Sequence, residues 1–165
     1  EIALNSSFSK DELEKLIVTS KDAEDLIDGN TLLIVVDVHI PSMVMAPKLV
    51  DRAAKIVVID HHRRAEEYID SLSLVFNHID PSSSSTCELI SEFIRFSSIN
   101  PRIELPPFFA TIMLAGIFLD SSYFKSRNTG IRTFEAATIL KEYGADNSLA
   151  DDLLKDESLD RKSVV

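Results

Sequence analysis

Two short apolar runs, each followed by an aspartate and a histidine, constrain the fold of this chain more than any other feature. The runs and the polar residues after them are Leu32–Val36 with Asp37 and His39, and Ile56–Ile59 with Asp60 and His62. Unbroken apolar runs of this length are typical of strands buried on both faces of a parallel sheet. The runs are separated by enough residues for a helix, which suits a right-handed β-α-β crossover. Because ligand sites in open parallel sheets lie at the carboxyl ends of strands, both Asp/His pairs are predicted to lie at one end of the sheet.

The remaining periodicity predicts an α/β fold in which helices flank this parallel β-sheet. A third strand is predicted at 72–79, and helices are predicted at 87–96, 108–119 and 133–143. Gly144 is the expected stop of the last helix.

Both ends of the chain are less regular. The stretch from Ser9 to Asp28 has apolar residues at helical spacing and a capping-box pattern at its start, and Pro47 is expected either to start or to kink a later helix. From residue 146 the chain is acidic and lacks a clear pattern. We therefore expect a domain over 1–145, with 146–165 as a connector or as a helix that needs a further partner.

Composition excludes some classes of function. The formal net charge of −10 argues against a broad electrostatic grip on duplex nucleic acid, which depends on lysines and arginines. No apolar run reaches the ~18 residues of a membrane span, so we predict no direct membrane contact by this chain. Cys87 is the single cysteine, which excludes an internal disulfide and favours the reducing cytoplasm as the location. We interpret Cys87 as a small helix residue rather than a nucleophile.

The triplet Asp60-His61-His62 is the sharpest chemical signal in the sequence. Histidine pairs also occur as surface accidents, but this pair directly follows a predicted buried strand, where sites are built. Asp120 is a further candidate because it directly follows the apolar helix 108–119, and the alternative is a water-exposed aspartate that ends the helix. Mixed carboxylate and imidazole ligands suit manganese, iron or zinc better than calcium.

Five ordered motifs together resemble one known family. They are VVDVHIPS at 35–42, VIDHHRR at 58–64, DPSSSSTCEL at 80–89, LAGIFLDS at 114–121 and TGIRTFEA at 129–136. The set is similar to the DHH phosphoesterases, and its last stretches resemble the membrane-anchored cyclic-di-AMP phosphodiesterases in particular. The resemblance implies a hydrolase of cyclic dinucleotides that uses two Mn²⁺ ions.

The resemblance also implies roles for individual residues. Asp37 would bridge the two metal ions, while His61 and Asp120 would complete the second one. Asp60 and His62 would be the catalytic pair, with Asp60 as the acceptor that fixes histidine orientation. His62, together with His39, would lie near the phosphate or the bridging water. The implied reaction is attack of a metal-activated water on phosphorus, without a covalent nucleophile.

A substrate-binding role is predicted for Ser84, Ser85, Thr86 and Arg63. Helix N-termini favour anions, so the serine-rich helix start is able to offer amides and hydroxyls to a phosphate. The alternative for the first three is simple helix capping, and the alternative for Arg63 is solvation of a helix start.

The sequence also departs from the family pattern. No His-x-x-x-Asp-x-Asp motif occurs in the 165 residues, so the first metal lacks most of its ligands. The glycine-rich substrate-binding subdomain that usually follows is also absent. We therefore expect a fragment that hydrolyses cyclic dinucleotides poorly alone and whose parent is membrane-anchored. A missing first strand would expose a sheet edge, which is a route to a homodimer.

Other functions remain open at this stage. Several belong to the same family, namely oligoribonuclease or phosphoadenosine phosphatase activity, single-strand exonuclease activity and inorganic pyrophosphatase activity. A different class is a non-catalytic module that binds metal or nucleotide and signals through its shape, which the missing first motif favours.

Overall fold

A computed structural model describes the backbone of residues 15–98 and 103–162 and the side chains up to residue 155. The chain divides into two units after Pro81. The first unit contains α1 (Ser20–Leu26), β1 (Leu32–Val36), a 3₁₀ turn (Pro41–Met43), α2 (Pro47–Arg52), β2 (Lys55–Asp60) and β3 (Leu74–Ile79). The second unit contains α3 (Thr86–Phe96), α4 (Pro107–Asp120), α5 (Ile131–Glu142) and α6 (Asn147–Lys162).

The three strands form the predicted parallel sheet, in the order β1-β2-β3. Ile56 and Val58 of the central strand are almost fully buried and form the centre of an apolar cluster in this unit. Residue Val36 lies beside Ile59, so β1 and β2 end level with each other, as the two Asp/His pairs require. The α/β fold class and the position of the strand ends are therefore confirmed.

Burial on both faces was the wrong expectation for β1. Leu32, Ile34 and Val36 are 48%, 54% and 48% exposed, whereas Val35 between them is buried. The strand pairs only with β2 among the described residues, and side chains alternate between the two faces of a strand. The continuous apolar run of β1 therefore has one face packed on the core and the other exposed to solvent.

The helices before the sheet differ in part from the prediction. Residues 9–14 lie outside the described residues, and 17–19 are not helical, so the expected continuous helix is interrupted. The helix α1 starts afresh after Thr19, whose side chain accepts a hydrogen bond from the backbone N–H of Asp22, a common N-cap arrangement. Pro47 occupies the first turn of α2 and so starts that helix rather than kinking it.

In the second unit the apolar helix α4 forms the core. Leu114, Ile117 and Leu140 are at most 1% exposed. Gly144 ends the helical segment as predicted, with φ of +89°, a left-handed conformation that favours glycine. The last helix, α6, buries Ala150 completely against the same cluster. No helix within the described ranges is long and apolar enough to cross a bilayer.

Candidate metal centre

The carboxyl ends of β1 and β2 bring the first two motifs together. The backbone N–H of Asp37 donates to the carbonyl of Ile59 at 3.0 Å, which extends the strand pairing by one residue. Asp37 then adopts φ of +63°, the left-handed region, which an aspartate tolerates better than most residues. Conformations of this kind cluster at functional sites, where surrounding structure maintains them. The strand β1 therefore ends next to the carboxylate that was predicted as a metal ligand.

Three side chains form a cluster able to hold a cation. One donor atom each from Asp37, His61 and His62 lies within 4.8 Å of the others. The Nε2 atom of His61 is 3.5 Å from Oδ1 of Asp37. The Asp37 and His62 side chains are each 56% exposed, whereas that of His61 is 14% exposed, so a cation has access from solvent. One carboxylate oxygen and two imidazole nitrogens fit a divalent manganese, iron or zinc ion.

Asp60 lies behind this cluster as a buried carboxylate with histidine partners on both oxygens. Its Oδ2 is 2.5 Å from Nδ1 of His39, and its Oδ1 is 2.7 Å from Nδ1 of His62. The Oδ1 atom also accepts the backbone N–H of His62 at 3.1 Å. Burial by itself raises the pKa of Asp60, but the hydrogen bonds from the two histidines outweigh it and hold the pKa below its ordinary value. Asp60 is therefore an ionised acceptor that orients a neighbouring imidazole.

Arg63 lies at a cavity of about 400 Å³ beside the cluster. The cavity is also lined by Asp37, Asp60 and His62 and by apolar groups including Met43. An arginine beside the candidate metal ligands on one concave surface suits a phosphate group, because a guanidinium binds phosphate oxygens well.

The serine-rich segment serves mainly as a helix cap in the second unit. Ser84, Ser85 and Thr86 are at most 6% exposed. The Ser85 hydroxyl accepts from the backbone N–H of Glu88 at 3.1 Å, and the Ser84 hydroxyl donates to the Glu88 carboxylate at 2.7 Å. These contacts are those expected of the capping alternative. A substrate-binding role for the three residues stays a prediction.

Glu88 is a buried carboxylate that was not among the site residues predicted from the sequence. It is 1% exposed, and its Oε2 accepts from Thr133 at 2.8 Å as well as from Ser84. The nearby Arg132 binds both carboxylate oxygens of Glu92 at 2.7 Å. The spacing of Ser85 and Glu88 matches a capping box and was the available signal. The hydrogen bond between Glu88 and Thr133 of α5 could not be predicted from the sequence, because the two residues are 45 positions apart.

Asp120 is the last residue of α4, and its side chain is exposed. Directly after it, Ser122, Tyr123 and Phe124 have φ of 50°, 56° and 64°. Three successive left-handed residues are costly, at about 1–2 kcal/mol each. Ser121 supports the turn, since its hydroxyl donates to the carbonyl of Ile117 and accepts the N–H of Phe124. The position at a helix end matches the prediction, whereas the role of Asp120 as a metal ligand stays a prediction.

The fold and the cluster together define a class of protein, an α/β domain with a polar cluster able to hold a cation at the carboxyl ends of parallel strands. Residues 3–117 match the family model described as "DHH family, N-terminal domain". The chain therefore belongs to the DHH family, as the five motifs indicated.

Several curated proteins are similar to most of this chain. Cyclic-di-AMP phosphodiesterase GdpP of Bacillus subtilis (strain 168) is 42% identical over 146 residues, which are 88% of this chain and 21% of that protein. Cyclic-di-AMP phosphodiesterase PdeA of Listeria monocytogenes is 44% identical over 144 residues, 87% of this chain and 21% of that protein. The chain thus spans about a fifth of the length of these relatives. Bifunctional oligoribonuclease and PAP phosphatase NrnA of Mycoplasma genitalium is 32% identical over 130 residues, 78% of this chain and 38% of that protein.

Two solved structures share the fold. A putative family II inorganic pyrophosphatase of Methanococcus jannaschii superposes with a TM-score of 0.59 at 23% identity, over 76% of this chain and 41% of that one. An exopolyphosphatase-related protein of Bacteroides fragilis superposes with a TM-score of 0.64 at 18% identity, over 79% of this chain and 37% of that one. At these identities the likeness supports the α/β fold and not a shared substrate.

Proposed function

We propose that a protein carrying this chain hydrolyses cyclic di-AMP to linear pApA with Mn²⁺, and that this chain supplies part of the metal centre. The observation that carries the proposal is the similarity to three proteins named as cyclic-di-AMP phosphodiesterases. They are 42%, 45% and 44% identical to it over 88%, 84% and 87% of this chain. Relatives with other substrate names are less similar, at 32% for the oligoribonuclease and phosphatase and 27% for the pyrophosphatase.

The cluster supports the metal-binding part of the proposal. The residues proposed as metal ligands are Asp37, His61 and Asp120. The predicted ligands in the first unit present one carboxylate and one imidazole 3.5 Å apart, a separation that fits donors to one divalent cation. A second Mn²⁺ would take most of its ligands from a His-x-x-x-Asp-x-Asp motif, which these 165 residues do not contain.

The surrounding side chains support the phosphodiesterase part. Bound divalent ions lower the pKa of water and neutralise charge on phosphate oxygens. Arg63 adds a cation at the same cavity, while Asp60 holds the His62 ring with Nδ1 as donor. His62 would therefore present Nε2 as the atom that accepts a proton or binds a ligand. Ser84, Ser85 and Thr86 would act on substrate through the helix start that they form, rather than through hydroxyls already used in capping.

We propose a membrane-anchored parent protein with this domain in the cytoplasm. A relative from onion yellows phytoplasma, 40% identical over 130 residues, is named a fusion of a membrane protein with a large ribosomal subunit protein. A homodimer through the edge of β1 fits the same proposal, because β1 has unpaired backbone groups on one side among the described residues.

The test compares substrates and variants in a longer protein that carries this chain, with Mn²⁺ present. We expect cyclic di-AMP to be converted to linear pApA faster than pApA or pyrophosphate is hydrolysed. Asp37→Asn and His61→Ala should each lower kcat/KM at least 100-fold. Asn tolerates the left-handed φ of position 37, so the first variant changes charge without adding backbone strain.

The control is His78→Ala, which removes a β3 histidine that is not part of the cluster of Asp37, His61 and His62. It should keep activity within a few-fold of the parent. Preference for pyrophosphate would overturn the assigned substrate. Binding of cyclic di-AMP with no turnover would instead identify a non-catalytic nucleotide-binding module.

The second candidate function is cleavage of short linear oligoribonucleotides or phosphoadenosine phosphate. The similarity to the bifunctional oligoribonuclease and PAP phosphatase favours it, because that match extends over 78% of this chain. A kcat/KM for linear pApA above that for cyclic di-AMP would make this the better assignment.

A further inference from the structure

His39 is placed differently from the neighbouring histidines of the candidate site. It is 2% exposed, whereas the His62 side chain is 56% exposed. The Nδ1 atom of His39 is 2.5 Å from Oδ2 of Asp60, and its Nε2 accepts the backbone N–H of Ala65 at 3.1 Å. Both ring nitrogens therefore have defined partners, and direct contact with a substrate phosphate would require breaking one of these hydrogen bonds.

The partners of His39 determine its tautomer. Ala65 supplies a donor, so Nε2 of His39 must be the acceptor. A neutral imidazole has a single N–H hydrogen, so this hydrogen lies on Nδ1 and is donated to Oδ2 of Asp60.

The other partners of Asp60 determine the tautomer of His62. Both carboxylate oxygens already accept N–H groups, from the His39 ring and from the His62 backbone, so Nδ1 of His62 donates to Oδ1 and the lone pair of the ring lies on Nε2. An exposed imidazole has freedom to rotate and to exchange tautomers, and the buried carboxylate removes that freedom. Asp60 is itself 0% exposed, so water does not readily replace a lost partner on its second oxygen.

We propose that His39 is a positioning residue that fixes the Asp60 carboxylate and, through it, the tautomer and orientation of His62. Through Asp60 it connects the ends of β1 and β2, and its backbone carbonyl accepts the N–H of Ile69 at 2.8 Å. Two hydrogen bonds thus link buried His39 through Asp60 to His62, which belongs to the exposed cluster that could hold a metal ion. The positioning role of His39 rests on these hydrogen bonds, whereas any effect of His39 on turnover rests on the proposed function.

Two substitutions separate the two ring contacts. In His39→Asn the amide nitrogen occupies the place of Nδ1 and keeps a donor for Asp60, but no acceptor remains for Ala65. In His39→Gln the side-chain amide reaches the place of Nε2 and keeps an acceptor for Ala65, but the donor to Asp60 is lost. A purely structural role would be sensitive to both changes, whereas positioning through Asp60 is sensitive mainly to the second.

The readout is the imidazole tautomer in the ¹⁵N-labelled 165-residue chain without metal, from long-range ¹H–¹⁵N correlation spectra at about pH 8, where free histidine is neutral. We expect His62 to carry its hydrogen on Nδ1 in the parent chain and in His39→Asn. In His39→Gln we expect the population of His62 with its hydrogen on Nε2 to rise several-fold. The backbone spectrum of this variant should still be that of a folded chain.

Three results would overturn the proposal. They are a parent chain whose His62 carries its hydrogen on Nε2, a Gln variant with an unchanged His62, and equal loss of the Nδ1 tautomer in both variants. In a longer active protein, His39→Gln should lower kcat at least tenfold with less change in KM, and His39→Asn should keep most of the activity. If the tautomers behave as expected while the parent does not hydrolyse cyclic di-AMP, the proposed function fails and the positioning role remains.

Discussion

The contact between Gly116 of α4 and Cys87 of α3 gives a prediction whose sign depends on a single atom. A methyl group added at Gly116 would lie 2.7 Å from Sγ of Cys87, far inside van der Waals distance, but 3.6 Å from its Cβ, which is an ordinary contact. Replacing glycine by alanine inside a helix stabilises it by about 0.5–1 kcal/mol, whereas overpacking a core costs about 1–3 kcal/mol. In the parent chain we expect Gly116→Ala to lower the free energy of unfolding by about 1–2 kcal/mol.

The Cys87→Ala background removes the sulfur and should reverse that sign. There Gly116→Ala should raise the free energy of unfolding by up to about 1 kcal/mol. The two effects combine into a coupling of about 1–3 kcal/mol between the positions. Urea unfolding followed by circular dichroism on all four chains measures it. If Gly116→Ala stabilises the parent chain and the Cys87→Ala chain equally, the close approach of α3 and α4 is refuted.

Three further predictions address the candidate site, a buried carboxylate and a helix cap. Calorimetry of the 165-residue chain should detect Mn²⁺ binding that His61→Ala abolishes and His78→Ala retains; equal binding in both variants would show that the cluster is not the metal site. Glu88→Leu should destabilise the chain by about 2–5 kcal/mol in urea unfolding because it leaves buried donors, including the Thr133 hydroxyl, without their acceptor, and Glu88→Gln should cost clearly less. The backbone N–H groups of the first turn of α6 lower the pKa of Asp146 below its ordinary value of 3.8. The charged form of Asp146 therefore stabilises the fold above pH 3.8, and this stabilisation is lost as the pH falls through the lower pKa of the folded state. Asp146→Asn should therefore reduce the melting temperature at pH 7 but have little effect near pH 2, and an equal reduction at both would contradict the assigned cause.

The site residues that could be predicted from the sequence are those at the ends of strands. Asp37 and Asp60 follow apolar runs, and parallel pairing aligns the ends of such runs, so the meeting of their motifs followed from topology alone. The cluster of Asp37 with His61 agrees with that expectation. The likeness to DHH proteins added the prediction of which residues are metal ligands, which spacing alone does not supply.

The role of individual polar side chains was less predictable. His39 and His62 occupy equivalent places after two strands, yet one is buried and the other exposed. That difference arises because residues 65–69 fold over His39 with two backbone N–H groups, and no local pattern encodes such a contact. Glu88 is a second example. Its capping role involves residues close in the sequence and was predictable, whereas its hydrogen bond with Thr133 joins distant segments and was not.

By itself the sequence determined the parallel strands, the apolar helix α4, the stop at Gly144 and the family of the chain. The first three of these features depend on side-chain periodicity and on the left-handed φ of glycine, both of which act over a few residues. The tertiary structure alone decided which face of β1 is exposed and which histidine is buried. Burial and hydrogen-bond partners depend on segments distant in the sequence, so they are defined only when those segments pack together.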